Sequence, residues 1–183
     1  MSSIEVVSIE KTSDDGQLVA FGPLDQMFWK LEIPSTLSRR VIYKNGLVLG
    51  LECVFSGERL EISRMELIQP KNQYISTQLL TQLGLPAVLN KIFLEASPTT
   101  KAMSSLPKKE ELSKDQLGIV ITQLYWFEYA SWANPRMRVI QYTNWSTNNA
   151  NTHFRKLAKM YGLPGAHSVS NNSKKAQASK KVL

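Results

Sequence analysis

The segment Asn134–Gly162, NPRMRVIQYTNWSTNNANTHFRKLAKMYG, reads as two short helices joined by a tight turn. Asn134 suits a helix N-cap, and Pro135 suits the first helical position, where its missing N–H costs nothing. The first helix is expected to run to about Tyr142, with Val139 as its core contact. Thr143-Asn144-Trp145-Ser146 is then the turn. Asn144 holds the place that needs a residue tolerant of positive φ, and asparagine follows glycine in that respect. Ser146 caps the second helix. Ala150, Phe154, Leu157 and Tyr161 recur on one stripe at roughly 3.6-residue spacing, and Ala150 is small where two helices must approach closely. The pattern is a helix-turn-helix, and it predicts a helical C-terminal domain.

The opposite face carries the functional signal. Thr147, Asn148, Asn151, Thr152 and Arg155 point away from the apolar stripe, with Ser146 at the cap completing the candidate surface. Short polar donors and acceptors with an arginine are the groups that read base edges in a major groove. A merely solvated face would be served better by Glu, Lys or Gln, because asparagine has low helix propensity. Arg136, Arg138, Lys156 and Lys159 are the candidates for phosphate contacts.

Charge follows the same division. Residues 1–100 hold 9 basic and 11 acidic residues, a net of −2, whereas residues 101–183 hold 13 basic and 4 acidic, a net of +9. From Tyr129 to the end there is no Asp or Glu at all. The positive charge therefore coincides with the helix-turn-helix, where a polyanion would require it.

The run from Ile121 to Pro164 resembles the C-terminal segment of a set of largely uncharacterised actinobacterial DNA-binding proteins. These have an aromatic helix, a Pro-initiated helix, a Ser/Thr-rich turn and helix, and a basic run ending in Gly-Leu. The residues that carry the resemblance are Tyr125, Pro135, Val139, Ser146, Ala150, Arg155, Lys156, Gly162 and Leu163. Asn144 departs from the usual Gly, and Gly162 falls about one residue late. The resemblance implies DNA binding by the helix-turn-helix and no particular target.

Upstream, residues 4–70 read as β-structure. IEVVSIEKT, GQLVAF, QMFWKLEI, RRVIYK, LVLGLECVF and RLEISRMEL are rich in strand formers and separated by Gly, Pro and Asp breaks. Asn45-Gly46 predicts a hairpin with a type I′ turn, and Leu47, Leu49, Leu51, Cys53 and Phe55 alternate onto one face. Cys53 is expected to be a buried hydrophobe. Residues 74–96 read as a helix broken near Gly84-Leu85-Pro86, with Leu79, Leu80, Leu83, Val88, Leu89, Ile92 and Phe93 in the core. The polar segment 97–114 reads as a linker, and 115–133 as an apolar, aromatic helix buried against the helix-turn-helix. Residues 164–183 read as a disordered basic tail.

The expected fold is α+β. An N-terminal antiparallel β-rich domain, residues 1–96, precedes a C-terminal helical domain, residues 115–163, with the helix-turn-helix. No cofactor is called for, and no catalytic constellation stands out. His153 and His167 with one cysteine cannot furnish an ordinary zinc site, and pairs such as Asp14-Asp15 and Glu110-Glu111 read as solvated charge. No signal peptide or membrane-length apolar run is recognisable. The reading is a non-enzymatic, cytoplasmic protein that binds double-stranded DNA, a bacterial or phage transcriptional regulator at the nucleoid when bound. The N-terminal domain, expected to fold without DNA, is left to form a homodimer, sense a ligand or bind a second protein. The competing readings are a protein-interaction module and a DNA-handling accessory factor of a mobile element.

Overall fold

The computed structural model describes residues 3–23, 28–69 and 75–164. Six strands come first: β1 Val6–Lys11, β2 Leu18–Ala20, β3 Glu32–Pro34, β4 Thr36–Tyr43, β5 Val48–Phe55 and β6 Leu60–Ile68. Six α-helices follow: α1 Thr77–Gln82, α2 Leu85–Ala96, α3 Thr100–Ser104, α4 Lys114–Ala130, α5 Pro135–Thr143 and α6 Thr147–Tyr161. The layout is α+β. Strands β1-β4-β5-β6 form one antiparallel sheet in that order, and β2 pairs with β3 in a second.

The period-2 pattern sets the inner face. Leu37, Val41 and Tyr43 of β4 are buried beside Leu49, Leu51 and Cys53 of β5, because alternate side chains of a strand point to one side. Helix α2 covers that face with Val88, Leu89, Ile92 and Phe93. Leu80 of α1, expected in the core, is 40% exposed. The cause is the early break: α1 is six residues long and buries none of them. Gly84 (φ +60°) then redirects the chain into α2.

The β4–β5 hairpin differs in its turn. Gly46 has φ +82°, but Asn45 is not in the left-handed region, as a type I′ turn requires. The Gly46 N–H donates to the Tyr43 carbonyl at 2.9 Å, and the Tyr43 N–H to the Leu47 carbonyl at 2.9 Å. This is a type I turn closed by a left-handed glycine, with the Asn45 side chain accepting from the Leu47 N–H at 3.2 Å. The asparagine serves the turn through its side chain rather than its backbone.

Asp15 is not the solvated charge expected. Its two oxygens accept from the Arg39 guanidinium at 2.7 and 3.0 Å, and Arg39 is only 6% exposed. The Arg39 hydrogen bonds hold the Asp15 carboxyl below its usual 3.8, against the opposing effect of burial. A depressed folded-state pKa gives stability that is full above the unfolded value and lost as pH falls through the folded one. We expect Asp15→Asn to cost about 2 kcal/mol at neutral pH, since Asp15 still meets some water. Urea unfolding at several pH values checks this: the gap between wild type and variant should close only below about pH 4.

The two expected domains share a helix. The sheet core, with α2 and Met103, also takes Phe127 and Ala130 from α4. One turn earlier, Ile121, Leu124 and Tyr125 of α4 enter the second core with Val139, Ala150, Phe154 and Leu157. The division expected after residue 96 is therefore not a division between cores. Segment 97–114 is packed rather than a free linker. Ser97 and Thr99 are buried and hydrogen-bond backbone groups of Glu32 and Lys30, and α3 places Met103 in the sheet core. Further on, the Tyr142 hydroxyl donates to the Pro107 carbonyl at 2.7 Å and Lys109 Nζ to the Thr143 carbonyl at 2.9 Å. The expected tail lies outside the described residues, apart from Pro164.

Candidate nucleic-acid interface

Local chemistry fixes each end of the helix-turn-helix. The Asn134 side chain accepts from the Met137 N–H at 3.2 Å, with Pro135 opening α5. Asn144 ends α5 in the left-handed region (φ 55°, ψ 29°), as its place in the turn demands. Ser146 accepts from the Asn149 N–H at 3.4 Å and starts α6, and Gly162 (φ 64°) ends it. Helix α4 begins with a reciprocal capping box between Ser113 and Gln116. The three helices close over Val139 and Ala150, both fully buried, with Phe154 edge-to-face on Tyr125 at 5.4 Å.

Burying Ala150, Phe154 and Leu157 turns the opposite side of α6 outward. At about 100° per residue, Asn148, Thr152, Arg155 and Lys159 fall on one outward stripe, flanked by Asn149 and Lys156; all six are exposed. Ser146 and Thr147 are exposed at the start of the helix. Asn151 is half-buried, because its position rotates toward the packed face. Thr152 Oγ1 donates to the Asn148 carbonyl at 3.1 Å. Among the described residues, the side chains of Asn148, Asn151, Arg155, Lys156 and Lys159 make no hydrogen bond or ion pair.

The two arginines of α5 are differently placed. Arg136 lies beside the hydroxyl of Tyr125, whose pKa burial pushes up and the guanidinium pulls back. Arg138 pairs with Glu128 at 3.5 Å, and burial raises the Glu128 carboxyl while Arg138 opposes it. Both arginines are half-buried and already partnered. Residues assigned to phosphates by charge alone thus divide: Lys156 and Lys159 stand free on α6, and Arg136 and Arg138 help seat α5 on α4.

Two arrangements have little signature in the sequence. Arg59, on the turn before β6, lies 4.1 Å from the ring centroids of both Tyr129 and Trp132, with its Nε donating to the Tyr129 carbonyl at 3.1 Å. The Trp132 indole N–H donates to the Leu60 carbonyl at 2.5 Å, and Asn90 Nδ2 donates to the Ser131 carbonyl at 2.9 Å. These contacts seat the end of α4 on the sheet unit and α2, and Trp132 is held at φ 65°. The second is a parallel stack of His153 on Trp145, centroids 4.1 Å apart and planes 18° apart.

No group of three or more His, Cys, Asp or Glu that could hold a metal occurs among the described residues. No helix among them is long and apolar enough to cross a membrane. Compared with models of protein families, with curated proteins and with solved structures, the chain gives no match in any of the three.

Proposed function

We propose that this protein binds double-stranded DNA by laying α6 in the major groove, as a cytoplasmic transcriptional regulator of bacterial or phage origin. One observation carries the reading: a helix packed on one face offers on the other an exposed polar and basic stripe whose Asn148, Arg155 and Lys159 side chains are unengaged. The α6 face holds Asn148, Thr152, Arg155 and Lys159 with no carboxylate in that part of the chain. An amide can pair bidentately with adenine and a guanidinium with guanine, while Lys156 and Lys159 neutralise phosphates. The role is binding rather than catalysis, with the sheet unit left for self-association or a second partner.

The test is a salt titration of binding to duplex DNA. A regulator gives a log–log slope of about −0.9 per phosphate neutralised, whereas a protein-interaction module does not bind appreciably. Asn148→Ala and Arg155→Ala should each cost about 1–3 kcal/mol on a selected site and far less on random sequence. Asn151→Ala should cost less than Asn148→Ala, since Asn151 is turned toward the packed face. Equal losses on selected and random duplexes would reduce α6 to a backbone clamp and remove the support for sequence-specific regulation.

A further inference from the structure

Behind the outward stripe, α6 and the first half of α4 enclose a groove of about 100 Å³. Its apolar walls are Leu117, Gly118, Ile121, Leu157, Met160 and Tyr161, and the stacked Trp145 and His153 line it as well. Lys114 and Lys156 bring two positive charges to it against the single carboxylate of Asp115.

Gly118 is the informative residue. It lies inside α4, without a positive φ, where glycine weakens a helix relative to alanine. Sterics do not require it: an added Cβ would meet only Leu157 Cδ2, at 3.7 Å, an ordinary contact. What the missing methyl supplies is room in the groove. The aromatic wall, the space and the excess of positive charge are complementary to one kind of small molecule.

We infer that the α4–α6 groove is a binding site for a small aromatic anion, a single planar ring bearing a carboxylate. The ring occupies the space beside Trp145 left by Gly118, and the carboxylate meets Lys114 and Lys156. At about 100 Å³ the groove is smaller than the roughly 150 Å³ cavity that admits benzene, but it is open on one side, so a ring enters it in part and leaves its carboxylate at the mouth. His153 already covers one face of the indole, so a ring of this kind packs edge-on or offset against the Trp145–His153 pair, and a charge-assisted contact to lysine fixes its orientation. The site does not depend on whether α6 binds DNA.

The experiment is a titration of the full chain with benzoate, followed by NMR of the Trp145 indole N–H and the His153 ring. Benzylamine, the same ring with a positive charge, is the control. A saturable shift with a midpoint near about 1 mM is expected for benzoate. Benzylamine should bind at least about tenfold more weakly, as should benzoate to the Lys114→Ala and Lys156→Ala variants. Gly118→Ala should abolish saturation while keeping or raising the thermal midpoint, which shows that the fold survives. Shifts that never saturate, equal binding of the two probes, or undiminished benzoate binding by a folded Gly118→Ala protein would each overturn the site. Failure of duplex binding in the salt titration leaves all of these outcomes unchanged.

Discussion

Phe127→Ala is expected to destabilise the whole chain, by about 3–5 kcal/mol. The ring is 2% exposed and sits edge-to-face on Phe93, with centroids 5.3 Å apart. Its loss opens a cavity where α2, α4 and the sheet meet. Helix α4 feeds both cores, so sheet and helix-turn-helix should unfold in one transition. Urea unfolding read by circular dichroism and by indole fluorescence checks this. Two separate transitions, or a helical signal surviving loss of the sheet, would show that α4 does not couple the cores. For the same reason a chain ending at Ser97, which lacks Met103, Phe127 and Ala130, should not give a cooperative β-type transition.

Ala150→Glu should be comparably severe, at about 3–5 kcal/mol, because it drives a carboxylate into a contact that excludes water and offers no partner. Ala150 is fully buried between α5 and α6. Duplex binding should vanish with the local fold. Asn149→Glu is the control, since it adds the same charge one residue earlier at an exposed position. There stability should change by less than about 0.5 kcal/mol, while duplex affinity falls by charge repulsion alone. Thermal unfolding of both variants beside duplex titration separates the two causes. If Ala150→Glu keeps its wild-type midpoint, α6 does not pack on α5 through this residue.

The helix-turn-helix was legible because each of its determinants is local. A cap at Asn134, a proline at the first helical position, an asparagine at a left-handed turn and a serine cap act within a few residues of themselves. Burial of Ala150, Phe154 and Leu157 followed from spacing alone. The strand alternation of Leu47, Leu49, Leu51 and Cys53 was equally direct, since period 2 leaves a half-buried strand no other register. The extra positive φ that a type I′ turn needs was not legible, because Asn-Gly supports two turn geometries and the strand pairing chooses between them.

Tertiary structure decided what depends on contacts between distant residues. Arg136 and Arg138 look like free phosphate ligands in the sequence, yet Glu128 on a neighbouring helix pairs with Arg138, and Arg136 lies beside the Tyr125 hydroxyl. Asp15 reads as a turn carboxylate until Arg39, 24 residues away, is brought beside it. Segment 97–114 has a linker's composition, but its hydroxyls find backbone partners on β3, which no local pattern announces. Propensity, capping and periodicity act along the chain, so the strands, the turn and most of the outward face of α6 were readable from it, but α3 and the inward rotation of Asn151 were not. Long-range packing, which no local pattern encodes, sets the sharing of α4 by the two cores and selects the basic side chains that remain unpartnered.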